Sequence, residues 1–182
     1  VSHKQFTLLE SSKFSPMKYF VEPIVLSLNF IDKNYDYDSY NMIGISGGGW
    51  TTIIYSAIDE RISQSYSVAG SYPLHLRYET KNLGDYEQTN PNIYRISNYL
   101  ELYTMSSSGD NRKLVQLFIY NDPCCFQAEL YEKFPYSNVI QDRLEILGNE
   151  GDFSVFLDSS TNKHEISDRV LNLILDGMLN EG

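Results

Sequence analysis

The sequence predicts an α/β fold, a mostly parallel sheet flanked by helices. Three observations predict it. Short apolar runs at 42–45, 62–68, 114–120 and 153–157 are bounded by turn residues. Stretches with helical spacing separate them. Apolar strands alternating with helices in this way imply parallel pairing with helices on the sheet faces. With 182 residues, 42% apolar and 21% charged, the chain is expected to form a single domain over 1–182.

The elements follow in order. Ser15-Pro16 offers a capping hydroxyl and a proline at a helix start, and Met17, Phe20, Val21, Ile24, Val25, Leu28 and Ile31 then recur at helical spacing. Pro23 should kink that helix or reset its start. Residues 34–40 read as a polar loop, 42–45 as a buried strand, and 50–58 as a helix after Gly47-Gly48-Gly49. A second strand at 62–68 stops at Ala69-Gly70. Residues 71–92 are polar, aromatic and poorly periodic, and 93–103 predicts a helix before a loop at 106–110. The third strand, 114–120, ends at the turn Asn121-Asp122-Pro123. A helix at 126–134, a short strand at 144–147, the strand at 153–157 and a loop at 158–164 come next. An amphipathic helix at 166–178 presents Val170, Leu171, Leu173, Ile174 and Leu175. No repeat or low-complexity tract interrupts the chain.

Composition narrows the function. A net charge of −10 argues against nucleic acid, whose phosphates are gripped by clustered Lys and Arg. No run of eighteen apolar residues exists to span a membrane. The two cysteines, Cys124 and Cys125, are adjacent, too few for a disulfide framework and by themselves too close-set for a zinc site. No metal site and no cofactor is expected. Asp32, Asp36 and Asp38 read as a solvated loop, and the glycines after residue 44 match neither phosphate-loop nor dinucleotide spacing.

Gly44-Ile45-Ser46-Gly47-Gly48 fits G-x-S-x-G, with an apolar strand leading in and a helix leading out. Such a turn holds the serine hydroxyl above the sheet, at the positive end of the helix, and aims the N–H of Gly47 at a developing oxyanion. A serine nucleophile needs a base and the base an orienting acid. Of three histidines, His3 lies at a terminus and His75 in the irregular segment, whereas His164 follows the last strand. Asp122 follows the third strand, and Ser46, Asp122, His164 is the expected order. Asp85, Asp152 and Asp158 are the alternative acids. Trp50 and Tyr72, with Tyr78, Tyr86 and Tyr94, are candidates to line or cap the substrate pocket.

These residues resemble the α/β-hydrolases, and Ser46-Gly47-Gly48-Gly49-Trp50-Thr51-Thr52, Val68-Ala69-Gly70-Ser71-Tyr72-Pro73 and Tyr120-Asn121-Asp122-Pro123 are similar to the esterase and dienelactone-hydrolase-like branch. The resemblance implies a helix before the Ser46 strand, three later strands, and residues 71–103 as a lid-like insertion. It departs at the front. Only 45 residues precede Ser46, where the family supplies several strands and its second oxyanion donor, and the first glycine is Gly44. The chain opens on Val1 with no secretory signal pattern. The expectation is a segment of a longer protein, or a partner that covers the exposed edge of the Ser46 strand. The function expected is a serine hydrolase acting on a small-molecule ester or related acyl substrate. The alternative is a catalytically inactive hydrolase-like binding or scaffold module.

Overall fold

The computed structural model describes residues 3–148 and 150–179; the outer ends of the expected 1–182 domain, residues 1, 2 and 180–182, lie outside the described residues. Four strands, β1 (Tyr40–Ile45), β2 (Ile62–Val68), β3 (Lys113–Ile119) and β4 (Asp152–Asp158), form one parallel sheet in the order β1-β2-β3-β4. Among the described residues eight helices accompany them: α1 (Lys18–Asn34), α2 (Gly47–Ile58), α3 (Tyr86–Thr89), α4 (Pro91–Tyr94), α5 (Tyr99–Ser107), α6 (Ala128–Lys133), α7 (Ser137–Leu147) and α8 (Asp168–Leu179). A 3-10 segment, His3–Leu9, precedes α1.

Strand alternation divides the core in two. Leu114, Phe118 and Phe153 face the layer of α2, α5 and α7, where Trp50, Ile53, Leu102, Tyr103, Ile140 and Leu144 are buried. Tyr66, Val68, Val115, Leu117 and Ile119 face α8, which contributes Val170 and Ile174. Two-sided burial leaves β3 apolar along most of its length, whereas β2 turns Tyr66 and Val68 to one face and buried Ser65 and Ser67 to the other. Helix α1 rests Leu28 beside Tyr55 and Ile62. At the amino ends of the strands, the buried Arg112 guanidinium donates to the carbonyls of Ile62, Met105 (2.9 Å), Ser108 (2.8 Å) and Ser56, closing the last turns of α2 and α5.

The departures from expectation have local causes. Residues 144–147 are the last turn of α7 and not a strand, because Ile140 and Leu144 are spaced to bury one helical face. The helix expected over 93–103 is two helices. Asn98 starts the second with a capping box: its side chain accepts from Leu100 N (2.9 Å) and Glu101 N (3.2 Å), and Glu101 accepts from Asn98 N (2.7 Å). Helix α5 then runs to Ser107, into the expected loop. Helix α1 begins at Lys18, later than Ser15-Pro16, and continues through Pro23. His3, near the amino terminus, is held in place: its ring lies 3.1 Å from Glu87 and packs on Phe6 and Phe20.

Three glycines set the distance between α2 and the sheet. A Cβ on Gly44 would collide with the Gly48 carbonyl and lie 2.8 Å from Gly49 N. One on Gly49 would lie 2.8 Å from Val68 O, and one on Gly70 would strike Ser67 Oγ and lie 2.8 Å from Trp50 N. At Gly47 and Gly48 a Cβ would meet nothing within 4 Å. Gly44→Ala and Gly70→Ala are therefore expected to destabilise the fold by about 3 kcal/mol or more. Gly48→Ala, in open helical space, should be neutral or stabilising by up to about 1 kcal/mol. Denaturant melts of the three variants check the difference.

Candidate active site

The register delivers the carboxyl ends of the strands to one edge. Ser46 N donates to Val68 O (2.9 Å), Ala69 N to Leu117 O (2.8 Å), and Tyr120 N to Asp158 O (2.9 Å). Ser46 follows β1, Asp122 follows β3 and His164 lies in the loop after β4, so all three stand at that edge, where open α/β sheets hold their ligands.

Ser46 joins β1 to α2 with φ 57° and ψ −123°, outside the ordinary regions for a residue with a side chain. Such a conformation costs about 1–3 kcal/mol and persists only where the surroundings fix it. Here the bond to Val68 O and the Trp50 N–H on Ser46 O (2.9 Å) fix both sides of the residue. No side chain caps α2, so the N–H groups of its first turn, Gly47 first, are unpaired within the helix. Gly47 is exposed beside Ser46.

Asp122 is fully buried. Its Oδ1 accepts from Cys124 N (2.7 Å) and Cys125 N (3.4 Å), and its carbonyl accepts from Gln127 Nε2 (2.8 Å). Asn121, with φ 52°, makes the sharp exit from β3. His164 Nδ1 lies 2.8 Å from Asp122 Oδ2 and 3.1 Å from Oδ1. With Nδ1–H donated to the carboxylate, Nε2 presents a lone pair. That nitrogen is buried and has no hydrogen-bond partner among the described residues. The structure thus joins His164 to Asp122 and leaves the bond between Ser46 Oγ and Nε2 unmade.

The alternative acids lie elsewhere. Asp85 sits 3.6 Å from His3, and Asp152 begins β4 at the opposite end of the sheet. Asp158 braces the His164 loop: Oδ1 accepts from Ser160 N (2.9 Å) and Ser160 Oγ (2.7 Å), and Oδ2 from Ser167 Oγ (2.7 Å). Ser167 in turn caps α8 at Val170 N (3.1 Å). Burial alone would raise the Asp158 carboxyl, but the bonds from Ser160 and Ser167 outweigh it and hold it below the usual range. This brace and the Gly70 contact were missed from sequence. The signals were D-x-S at 158–160 and the Gly70 that ends the second strand.

Trp50 and Tyr72 are corrected as pocket-lining candidates, since both are 0% exposed. Trp50 packs edge-on against Phe20 and donates to Tyr94 Oη (2.8 Å). Tyr72 packs on Phe118 and Phe126 and donates to Gln127 O. Both are core residues. Segment 71–103 does reach the Asp122 loop: Lys81 Nζ donates to Gln127 Oε1 (2.6 Å) and Phe126 N to Asn82 Oδ1 (2.7 Å). Among the described residues, two side-chain groups have metal-ligand character, Cys124 with Cys125 and His164, and His3 with Asp85 and Glu87.

No protein-family model matches the sequence, and no curated protein sequence matches it. Solved structures do. A methylesterase superimposes with a TM-score of 0.63 at 16% identity, over 98% of this chain and 36% of its own. An acylaminoacyl peptidase from Pyrococcus horikoshii gives 0.52 at 17%, over 83% and 24%. A Klebsiella pneumoniae protein described as a dienelactone hydrolase gives 0.52 at 10%, over 87% and 57%. The chain therefore spans less than two thirds of the length of each, from 24% to 57%.

Removing the Asp158 brace should free the His164 loop. Asp158→Ala is expected to cost about 2 kcal/mol, the order for hydrogen bonds to a charged group, and to speed amide exchange over residues 159–167. Because its folded pKa is depressed, its contribution is complete above the ordinary carboxylate range and is lost as pH falls through the lowered value. Melting curves between neutral and acid pH should show the wild-type and variant midpoints converging.

Proposed function

We propose that this chain, whose fold is that of the α/β-hydrolases, works as a serine hydrolase on a carboxylic ester or related acyl group of a small molecule. The observation that carries this reading is the Asp122–His164 bond of 2.8 Å with Nε2 left as a free lone pair, at the edge where Ser46 is held.

In this mechanism Ser46 Oγ attacks the acyl carbonyl while His164 Nε2 takes its proton. Asp122 fixes the imidazole tautomer and stabilises the imidazolium. The oxyanion draws on Gly47 N–H. Collapse expels the leaving group, which receives the proton from His164, and leaves an acyl-enzyme on Ser46. Water then repeats the sequence with the same base. The Ser46–His164 hydrogen bond closes when substrate, or cover over the edge strand, settles the turn. We assign that cover to further chain, from the same polypeptide or a partner, because β1 has one paired edge and Ile43 is 41% exposed. Residues 71–103 form a lid-like wall beside Asp122. The negative field of the chain disfavours anionic substrates.

A second reading, a hydrolase-like module without chemistry, is favoured by the unmade Ser46–His164 bond. A fluorophosphonate probe separates the two. The enzyme reading predicts a single label, on Ser46, absent from Ser46→Ala and roughly 10⁴-fold slower in Asp122→Asn. An unlabelled chain that still melts cooperatively would establish the module.

A further inference from the structure

The turn that presents Asp122 also gathers two thiols around its histidine. Asp122 Oδ1 accepts from the amides of both Cys124 and Cys125, so the backbone curls round the carboxylate that holds His164. The two Sγ atoms and one imidazole nitrogen of His164 lie within 4.8 Å of one another. Cys124 is exposed, which gives an entry path, and Cys125 is buried. Independently of that cluster, His164 Nε2 is a buried lone pair with no partner among the described residues.

We propose that Cys124, Cys125 and His164 form a binding site for a thiophilic divalent cation, zinc above all, and that its occupancy switches the active site off. Two sulfurs and one imidazole are a ligand set for zinc, with the fourth position left to water. At Zn–S of about 2.3 Å and Zn–N of about 2.0 Å, tetrahedral ligands lie roughly 3.5 Å apart. Ligand atoms already within 4.8 Å of one another close onto the ion with shifts of up to about 1 Å. Soft ligands select against magnesium and calcium, which prefer oxygen. On binding, each thiol releases its proton to solvent and the imidazole binds neutral, so two thiolates balance the ion's charge. An adjacent cysteine pair alone makes no such site; the third ligand arrives from the loop after β4.

The consequence for activity rests on the hydrolase reading; the binding does not. If the metal takes Nε2, the base has lost its lone pair. If it takes Nδ1, the bond to Asp122 is broken. Either way Ser46 has no base.

The test titrates the reduced, metal-free chain with cobalt as a spectroscopic probe, then displaces it with zinc. One cobalt per chain with thiolate-to-metal charge-transfer absorption is expected. Affinity should fall by at least about tenfold in Cys124→Ser and in Cys125→Ala, and hold in His3→Gln, which breaks the other cluster. Melting curves show whether each variant is folded, and the exposed Cys124→Ser decides if Cys125→Ala is not. Zinc should slow fluorophosphonate labelling of Ser46 in the wild type and spare Cys124→Ser. Absence of charge-transfer absorption, or binding kept in Cys124→Ser and lost in His3→Gln, overturns the site. If the metal-free chain takes no label at all, the hydrolase reading falls and the cobalt spectrum still decides the site.

Discussion

Gly44, Gly49 and Gly70 let three backbone segments meet where a methyl group has no room. That contact sets the height of α2 over β1 and β2, and with it the angle at which the chain turns through Ser46. A larger residue at any of the three would lift the helix and relax the φ of 57° that Ser46 now holds. The strain at Ser46 is thus confined by packing on both sides, the helix start above and Val68 O beside it. Buried Ser65 and Ser67 on β2 continue the same logic, small residues at positions where Tyr66 and Val68 turn to the other face.

The remaining site residues depend on the same sheet register. Asp122 is placed by β3 and fixed by two backbone amides, while His164 hangs from a loop whose two ends are tied to Asp158. Two buried carboxylates at adjacent strand ends have divided the work: Asp122 orients the imidazole and Asp158 holds the loop that brings it there. Exposed segments can hold functional groups accurately when both ends are braced in this way.

Much of this was legible in the residues. Strand 114–120 showed itself as a strongly apolar run broken only by Gln116, strand 62–68 by its stop at Ala69-Gly70, and Ser46, Asp122 and His164 by their places at strand ends. What was not legible follows from length and distance. Residues 144–147 are too few to reveal a period, and Ile140, the partner that makes them helical, lies upstream. The break before α5 was encoded in Asn98-x-x-Glu101, a local signal outvoted by apolar spacing. Trp50 and Tyr72 looked like pocket walls because aromatic identity does not say which side of a strand end a ring will occupy. The nearness of Cys124 and Cys125 to His164 is a tertiary fact that no local pattern holds.

The register of four parallel strands sets Asp122 against His164 and leaves Nε2 bare. Nitrogen-15 and low-field proton NMR of the imidazole reads this directly. The Asp122–His164 geometry requires a proton on Nδ1, with a slowly exchanging proton resonance that Asp122→Asn abolishes. A ring protonated on Nε2, or an Nδ1 proton exchanging freely with water, would contradict it.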